Sequence, residues 1–111
     1  MLPRPQRLTR SAEFTAVMSN GSRGTSGRIT AHVSPAASAN SRVGLIVGKN
    51  VGNSVQRHRV SRVLRHAMPE VFRSVPTRVD VVLRALPGAA KPGRDLATEA
   101  AVATRKAVAR L

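Results

Sequence analysis

The side chains able to carry covalent or metal chemistry are few in this sequence, and their spacing does not suit it. Three histidines, His32, His58 and His66, stand without a Cys/Asp/Glu set at ligand spacing, and the chain has no cysteine. Thiolate nucleophiles, disulfides and thiolate metal sites are therefore excluded together. No Ser/His/Asp set is arranged for nucleophilic attack, so no catalytic residue and no protein-borne metal site is expected. The carboxylates Asp80 and Asp95 suit strand-end and helix-start roles.

Positive charge is what the chain concentrates. In the segment Val55–Met68, read as a helix at 100° per residue, Val60, Val63, Leu64 and Ala67 share one stripe. Arg59, Arg62, Arg65, His58 and His66 fall opposite, with Arg57 at the border. A solvated helix face is the ordinary reading of such a run. Here no Glu at i+4 relieves the arginines, so they repel one another unless a phosphate backbone intervenes.

The composition points the same way. Nineteen Lys+Arg against 5 Asp+Glu give a formal charge of +14, spread from Arg4 to Arg110. So large a charge weakens the compact state and implies a polyanionic partner, with nucleic acid ahead of a membrane surface. No stretch approaches the roughly 18 apolar residues of a membrane span, and the start MLPRPQRLTR lacks the apolar core of a signal peptide; a cytoplasmic protein without membrane association is expected. Arginine outnumbers lysine heavily, which suits phosphate and guanine edges but is equally what a codon bias produces. Only Phe14 and Phe72 are aromatic, which argues against a module that stacks bases on several rings.

The elements that must position these groups are legible from periodicity and punctuation. At 111 residues the chain has room for one domain, 1–111, with a modest core. A proline-bearing extended start leads to a short helix at 11–19, capped by Thr9 or Ser11, with Phe14, Val17 and Met18 on one face. An irregular edge strand is expected at 22–27 and a half-buried strand at 28–34, where Ile29, Ala31 and Val33 alternate with Arg28, Thr30 and His32. The strand at 42–49 buries Val43, Leu45 and Val47 and turns Gly44 and Gly48 to the other face, leaving room for a close approach. Asn53 or Ser54 caps the arginine helix, which Pro69 ends. Phe72 belongs to the core. A buried strand spans 78–86, and a closing helix, about 94–110, packs through Leu96, Ala100, Ala103 and Ala107. The order α-β-β-β-α-β-α places the fold in the α+β or α/β class. Lys49, beside the turn Asn50-Val51-Gly52-Asn53, is either a plain turn lysine or part of an anion site made with the helix start.

Three segments together resemble the protein component of bacterial ribonuclease P. They are Leu2-Pro3 with Arg7-Leu8-Thr9-Arg10-Ser11 and Glu13-Phe14; Arg42-Val43-Gly44-Leu45 with Gly52-Asn53-Ser54-Val55; and Arg57-His58-Arg59 with Arg62, Leu64 and Arg65. The resemblance runs over nearly the full length. It implies an α/β two-layer sandwich, a four-stranded sheet packed with three helices, and a left-handed βαβ crossover against the usual preference. It also implies a ribonucleoprotein endonuclease that removes the 5′ leader of precursor tRNA, with catalysis in the RNA subunit and Mg²⁺ performing the chemistry. Carried over by position, Asn53, Arg57, His58, Arg59, Arg62 and Arg65 would contact the RNA subunit, and Phe14, Met18, His32 and Lys49 would line the leader cleft. On its residues alone Phe14 is equally a core side chain. His58 stands where the family usually has asparagine. Ser61 and Asn50 replace residues that are often basic, and Met18 and His32 replace residues that are often aromatic.

The resemblance further implies a protein that is monomeric within its ribonucleoprotein. The competing class is a ribosomal or other structural RNA-binding protein with no associated reaction. A DNA-binding helix-turn-helix fits less well, because the arginine helix follows a strand rather than a partner helix. In either RNA-binding class, +14 on a small body makes stability depend on anions. The melting temperature should rise with added sulfate or phosphate, and an unchanged value would contradict the charge argument.

Overall fold

The computed structural model describes residues 4–111, so the Leu2-Pro3 part of the resemblance lies outside the described residues. A 3-10 turn, Arg4–Gln6, precedes helix α1 (Ser11–Asn20), strands β1 (Ser22–Ser26), β2 (Ile29–Pro35) and β3 (Arg42–Ile46), helix α2 (Ser54–Ser74), strand β4 (Val79–Ala85) and helix α3 (Leu96–Ala109). This is the expected order, in the α+β class. The strands form one four-stranded mixed sheet in the order β1-β2-β4-β3. β1–β2 and β2–β4 are antiparallel, whereas β3 and β4 run parallel, a pairing that requires a crossover; α2 supplies it. A parallel bridge between Arg7 and Val43 and the Leu8 N–H to Val43 carbonyl bond (2.9 Å) lay the N-terminal segment along the outer edge of β3.

Alternation along the strands divides the sheet into two faces. On one, Ile29, Ala31, Val33, Val43, Val79, Val81, Leu83 and Ala85 pack against Val60, Leu64, Met68 and Val71 of α2 and Leu96, Ala100, Ala103 and Ala107 of α3. The α3 stripe is the one its periodicity predicts. On the other face a smaller cluster joins Leu8, Val17 and Val82, with Phe14, Met18 and Ile46 packed at its margin. Phe72 packs at the margin of the larger core.

Several boundaries differ from the sequence reading. Pro69 does not end the arginine helix; it lies inside α2, which continues to Ser74. An interior proline forfeits a helical hydrogen bond at a cost of about 3 kcal/mol, and beyond the expected end the burial of Val71, about 1.5–3 kcal/mol, together with the packing of Phe72 against the core offsets it. The effective stop is Pro76, which disfavours helical backbone at Val75; that residue is extended at φ −95°, ψ 128°. The longer helix also rotates the buried stripe to Val60, Leu64, Met68 and Val71, leaving Val63 exposed. The N-cap of α1 is Arg10 rather than Thr9 or Ser11, because the Glu13 carboxylate accepts the N–H groups of both Thr9 and Arg10. Arg4–Gln6 form a turn where an extended segment is expected, β1 is a regular strand, and β3 ends at Ile46. The β1–β2 hairpin turns at Gly27, whose φ of +55° is left-handed backbone that favours glycine. Glu99 of α3 pins this turn by accepting the Arg28 N–H at 2.8 Å.

One ionic network ties α1 to the sheet. Arg42 of β3 reaches Asp80 of β4 through two donors at 3.0 and 3.1 Å, and Glu13 of α1 at 2.5 Å. Asp80 is 3% exposed at its side chain, so removing Arg42 leaves a buried charge uncompensated. Arg42→Ala should cost about 3 kcal/mol or more in a denaturant titration. Hydrogen bonds from the Arg10 and Thr9 amides, then from Arg42, hold the Glu13 carboxyl below its ordinary 4.5. A depressed carboxylate contributes stability that is present above the unfolded pKa and lost as pH falls through the folded one. Unfolding free energy should therefore drop below pH 4.5, with a shallower drop in Glu13→Gln; equal acid limbs for the two proteins would contradict this account.

Candidate nucleic-acid interface

Two cationic surfaces emerge from this fold. The first is the outer face of α2. Its start is fixed by a reciprocal cap: the Gln56 N–H donates to Asn53 Oδ1 and the Asn53 N–H to Gln56 Oε1, both at 2.9 Å. Asn53 is thus the cap, and Ser54 is the first helical residue. His58, Arg62 and Arg65 are exposed, and none of them makes an ion pair or a side-chain hydrogen bond among the described residues. Arg57 is half-buried; it donates to Ser54 Oγ at 3.4 Å, and its Nε has no partner. Arg59 donates to the Ala90 carbonyl and so braces the loop between β4 and α3. The sequence reading grouped Arg59 with the free arginines, because a helical wheel cannot show which loop lies alongside.

The reason the ridge is uncompensated lies in the acids. Glu13 and Asp80 bind Arg42, Glu70 pairs with Arg73, and Glu99 pairs with Arg94. Asp95 caps α3 by accepting the Thr98 N–H and hydroxyl. The chain's 5 carboxylates are all engaged internally. Among the described residues, Arg42, Arg73 and Arg94 alone of the 19 Lys+Arg make ion pairs.

The second surface is the face of the sheet that carries α1. The registers place Arg23, His32, Val82 and Gly44 in one row across β1, β2, β4 and β3, and Thr25, Thr30, Arg84 and Ile46 in the next. α1 lies alongside these rows, over β2 and β4. The Phe14 ring lies directly on Gly44, where a Cβ would come within 2.2 Å of the Phe14 Cζ. Gly44 therefore does admit a close approach, and the group that fills it is Phe14 itself. Phe14 and Met18 stay partly exposed and wall an open floor whose polar members include His32 and Arg84. The two readings of Phe14 thus merge, since one edge packs and the other faces the cleft. Arg65 and Arg7 meet Phe14 and Leu45 around a small pocket at the β3 edge, where the α2 ridge adjoins this face.

Lys49 is exposed beyond the end of β3. The amides expected to form an anion site beside it are partly used: Val51 N–H bonds the Gly48 carbonyl, and Asn53 and Gln56 N–H serve the cap. Arg23 and Arg84 are cleft-face cations absent from the sequence-derived set. An arginine at an outward position of an otherwise apolar strand was the available signal for Arg84; for Arg23 the signal depends on pairing with β2. Among the described residues no group of three His, Cys, Asp or Glu could hold a metal ion, and no helix is long and apolar enough to cross a membrane.

Known proteins share this geometry. A family model described as Ribonuclease P matches residues 2–109. The ribonuclease P protein component of Mycolicibacterium vanbaalenii is 48% identical over 90 residues, covering 78% of this chain and 76% of the relative. That of Kocuria rhizophila is 40% identical over 111 residues, covering 99% and 98%. Among solved structures, the RNase P protein from Thermotoga maritima superposes with a TM-score of 0.74 at 17% identity, covering 95% of this chain and 96% of that one. An RNase P protein from Staphylococcus aureus gives 0.70 at 19% identity, with 95% and 94% covered. At such identities these structures establish the fold.

His32 offers a direct probe of the cleft. Its burial, then Arg84 and Arg23, lower its pKa from the ordinary 6.5, so the imidazole is neutral at neutral pH. An NMR titration should find His32 below 6.5 and should find it higher in Arg84→Gln. A pKa indifferent to Arg84 would contradict the placing of these two side chains in adjacent rows of one face.

Proposed function

The chain belongs to the ribonuclease P protein component family, and on that premise we propose that it binds the catalytic RNA subunit through the α2 ridge and the 5′ leader of precursor tRNA through the cleft under α1. The single observation that carries this reading is the exposed, acid-free row His58, Arg62 and Arg65 on a helix anchored to the sheet by its other face. A folded RNA presents phosphates at fixed spacing, and a rigid helix presents guanidinium groups at fixed spacing; neutralising several of them releases counterions and supplies the affinity. Asn53 fixes the start of the ridge. Arg57 and Arg59 border it, with Arg59 also bracing the neighbouring loop.

The cleft suits a single strand. Phe14 offers one ring edge, Met18 an adaptable apolar wall, His32 a neutral imidazole, and Arg84 and Arg23 positive charge along the floor, with Lys49 beyond the β3 end. With one ring available, backbone contacts outweigh base stacking, and leader sequence matters less than leader charge. In the reaction the protein holds substrate and RNA subunit together, while endonucleolytic cleavage belongs to the RNA. Mg²⁺, bound by the RNA subunit and the substrate, supplies the Lewis-acid chemistry when present. This chain's own carboxylates are all committed to internal partners and are not counted among its ligands.

Reconstitution tests the assignment. Arg62→Ala and Arg65→Ala should leave the circular dichroism spectrum and melting point of the protein unchanged, yet weaken assembly with the RNA subunit and slow leader removal at limiting Mg²⁺. For every duplex phosphate that is no longer neutralised, the salt slope of binding should fall by about 0.9. Normal assembly and processing in both variants would remove the ridge from the interface.

A further inference from the structure

The sheet face does not end at β2. Arg23 lies in the same row as His32, on the edge strand β1, and there Lys106 and Arg110 from the C-terminal part of α3, which packs on the opposite face, reach the edge. Gly24 makes this possible. A Cβ there would stand 2.5 Å from the Ala103 carbonyl oxygen and 2.7 Å from the Lys106 Cβ, so only a glycine lets α3 lie this close to β1. The result is an open groove lined by Arg23, Gly24, Thr25, Lys106, Ala109 and Arg110.

We propose that this groove is a second phosphate-binding site, which takes the sugar-phosphate backbone of a single RNA strand after it has crossed the sheet face, with Arg23, Lys106 and Arg110 as its ligands. The proposal rests on the leader-cleft reading above and extends it past the walls that Phe14 and Met18 provide.

Two observations carry it. Lys106 Nζ donates to the Thr25 carbonyl at 3.1 Å and Arg110 to the Arg23 carbonyl, so both side chains are held at the rim rather than left to sweep through solvent. Each spends one donor in this way, while an ammonium has three and a guanidinium five, so donors and full charge remain for a ligand. None of the three cations forms an ion pair, and Glu99, elsewhere on α3, is already bound to the Arg28 amide and Arg94. Three like charges gathered without an acid favour an anion between them. The same two bonds also satisfy edge carbonyls that could otherwise template a foreign strand. That capping role needs donors but no charge, which is the difference an experiment can read. From β3 to β1 the sheet is about 14 Å wide, taking strands about 4.8 Å apart, so only a leader long enough to cross it reaches the groove.

The test uses the reconstituted holoenzyme and precursor tRNAs with a graded series of 5′ leaders, including none. Lys106→Gln combined with Arg110→Gln keeps a donor for each carbonyl and removes the charge. It should bind short-leader and leaderless substrates like the parent and long-leader substrates several-fold more weakly. The salt slope should drop by about 0.7 for each single-strand phosphate that the variant leaves unneutralised. Lys106→Gln alone should show a smaller loss with the same length dependence, and it decides the matter if the double variant melts early. Lys106→Arg should behave as the parent does. Parent-like affinity of the Gln variants at every length would overturn the second site while leaving the cleft intact. An equal loss at every length, leaderless substrate included, would overturn it too, by placing these cations against the RNA subunit or the tRNA body. If the parent holoenzyme itself ignored leader length, the cleft reading would fall first and take the second site with it.

Discussion

The paired contacts of Arg42 with Asp80 and Glu13 hold the rest of this structure in place. A guanidinium at the start of the edge strand β3 would be costly to bury alone, and so would the carboxylate of Asp80; together they satisfy each other. The third member, Glu13, belongs to α1, and its bond to Arg42 sets that helix down over β2 and β4 at one end of the sheet. With α1 fixed there, Phe14 falls onto Gly44, Val17 seals against Val82, and the remainder of the face is left open. The cleft is the part of the sheet that a short helix of 10 residues cannot cover.

The same pairings account for the electrostatics. A chain with 5 acids and 19 Lys+Arg could have scattered its acids over the surface and softened the field everywhere. Instead the acids serve the fold: they cap α1 and α3, clamp the hairpin turn at Arg28, and neutralise Arg42. Most outward cations are left without an acidic partner among the described residues, and the field they produce extends over about a Debye length, near 8 Å at physiological salt. Such a surface favours a polyanionic partner, and α2, packed on the sheet by its other face, holds its share of that charge at fixed spacing.

The two helices on the core face divide the work of presentation. α2 spends Val60, Leu64, Met68 and Val71 on the core and so points its basic positions outward. α3 uses small residues, Ala100, Ala103 and Ala107, and therefore lies close enough to β1 to deliver Lys106 and Arg110 to the sheet edge. Side-chain size in the packed stripe thus decides how far a helix stands from the sheet, and through that where its charged residues arrive.

What the sequence by itself determined was whatever depends on local periodicity and punctuation. The α3 stripe, the alternation of Ile29, Ala31 and Val33, a helix start at Asn53 or Ser54 and the outward placement of Arg62 and Arg65 each follow from residues within a few positions of one another. The fold class follows as well, because the order of elements is a property of the chain, and the resemblance of three segments to the ribonuclease P protein component carries the family. The continuation of α2 through Pro69 was not legible, since the gain from burying Val71 and packing Phe72 exists only once the sheet is beneath them. Nor was the seat of Phe14 on Gly44, the brace from Arg59 to Ala90, or the arrival of Arg23, Arg84, Lys106 and Arg110 along one path. Those contacts join residues far apart in the chain, and strand order, register and helix distance, all set by packing of the whole, decide which of them meet.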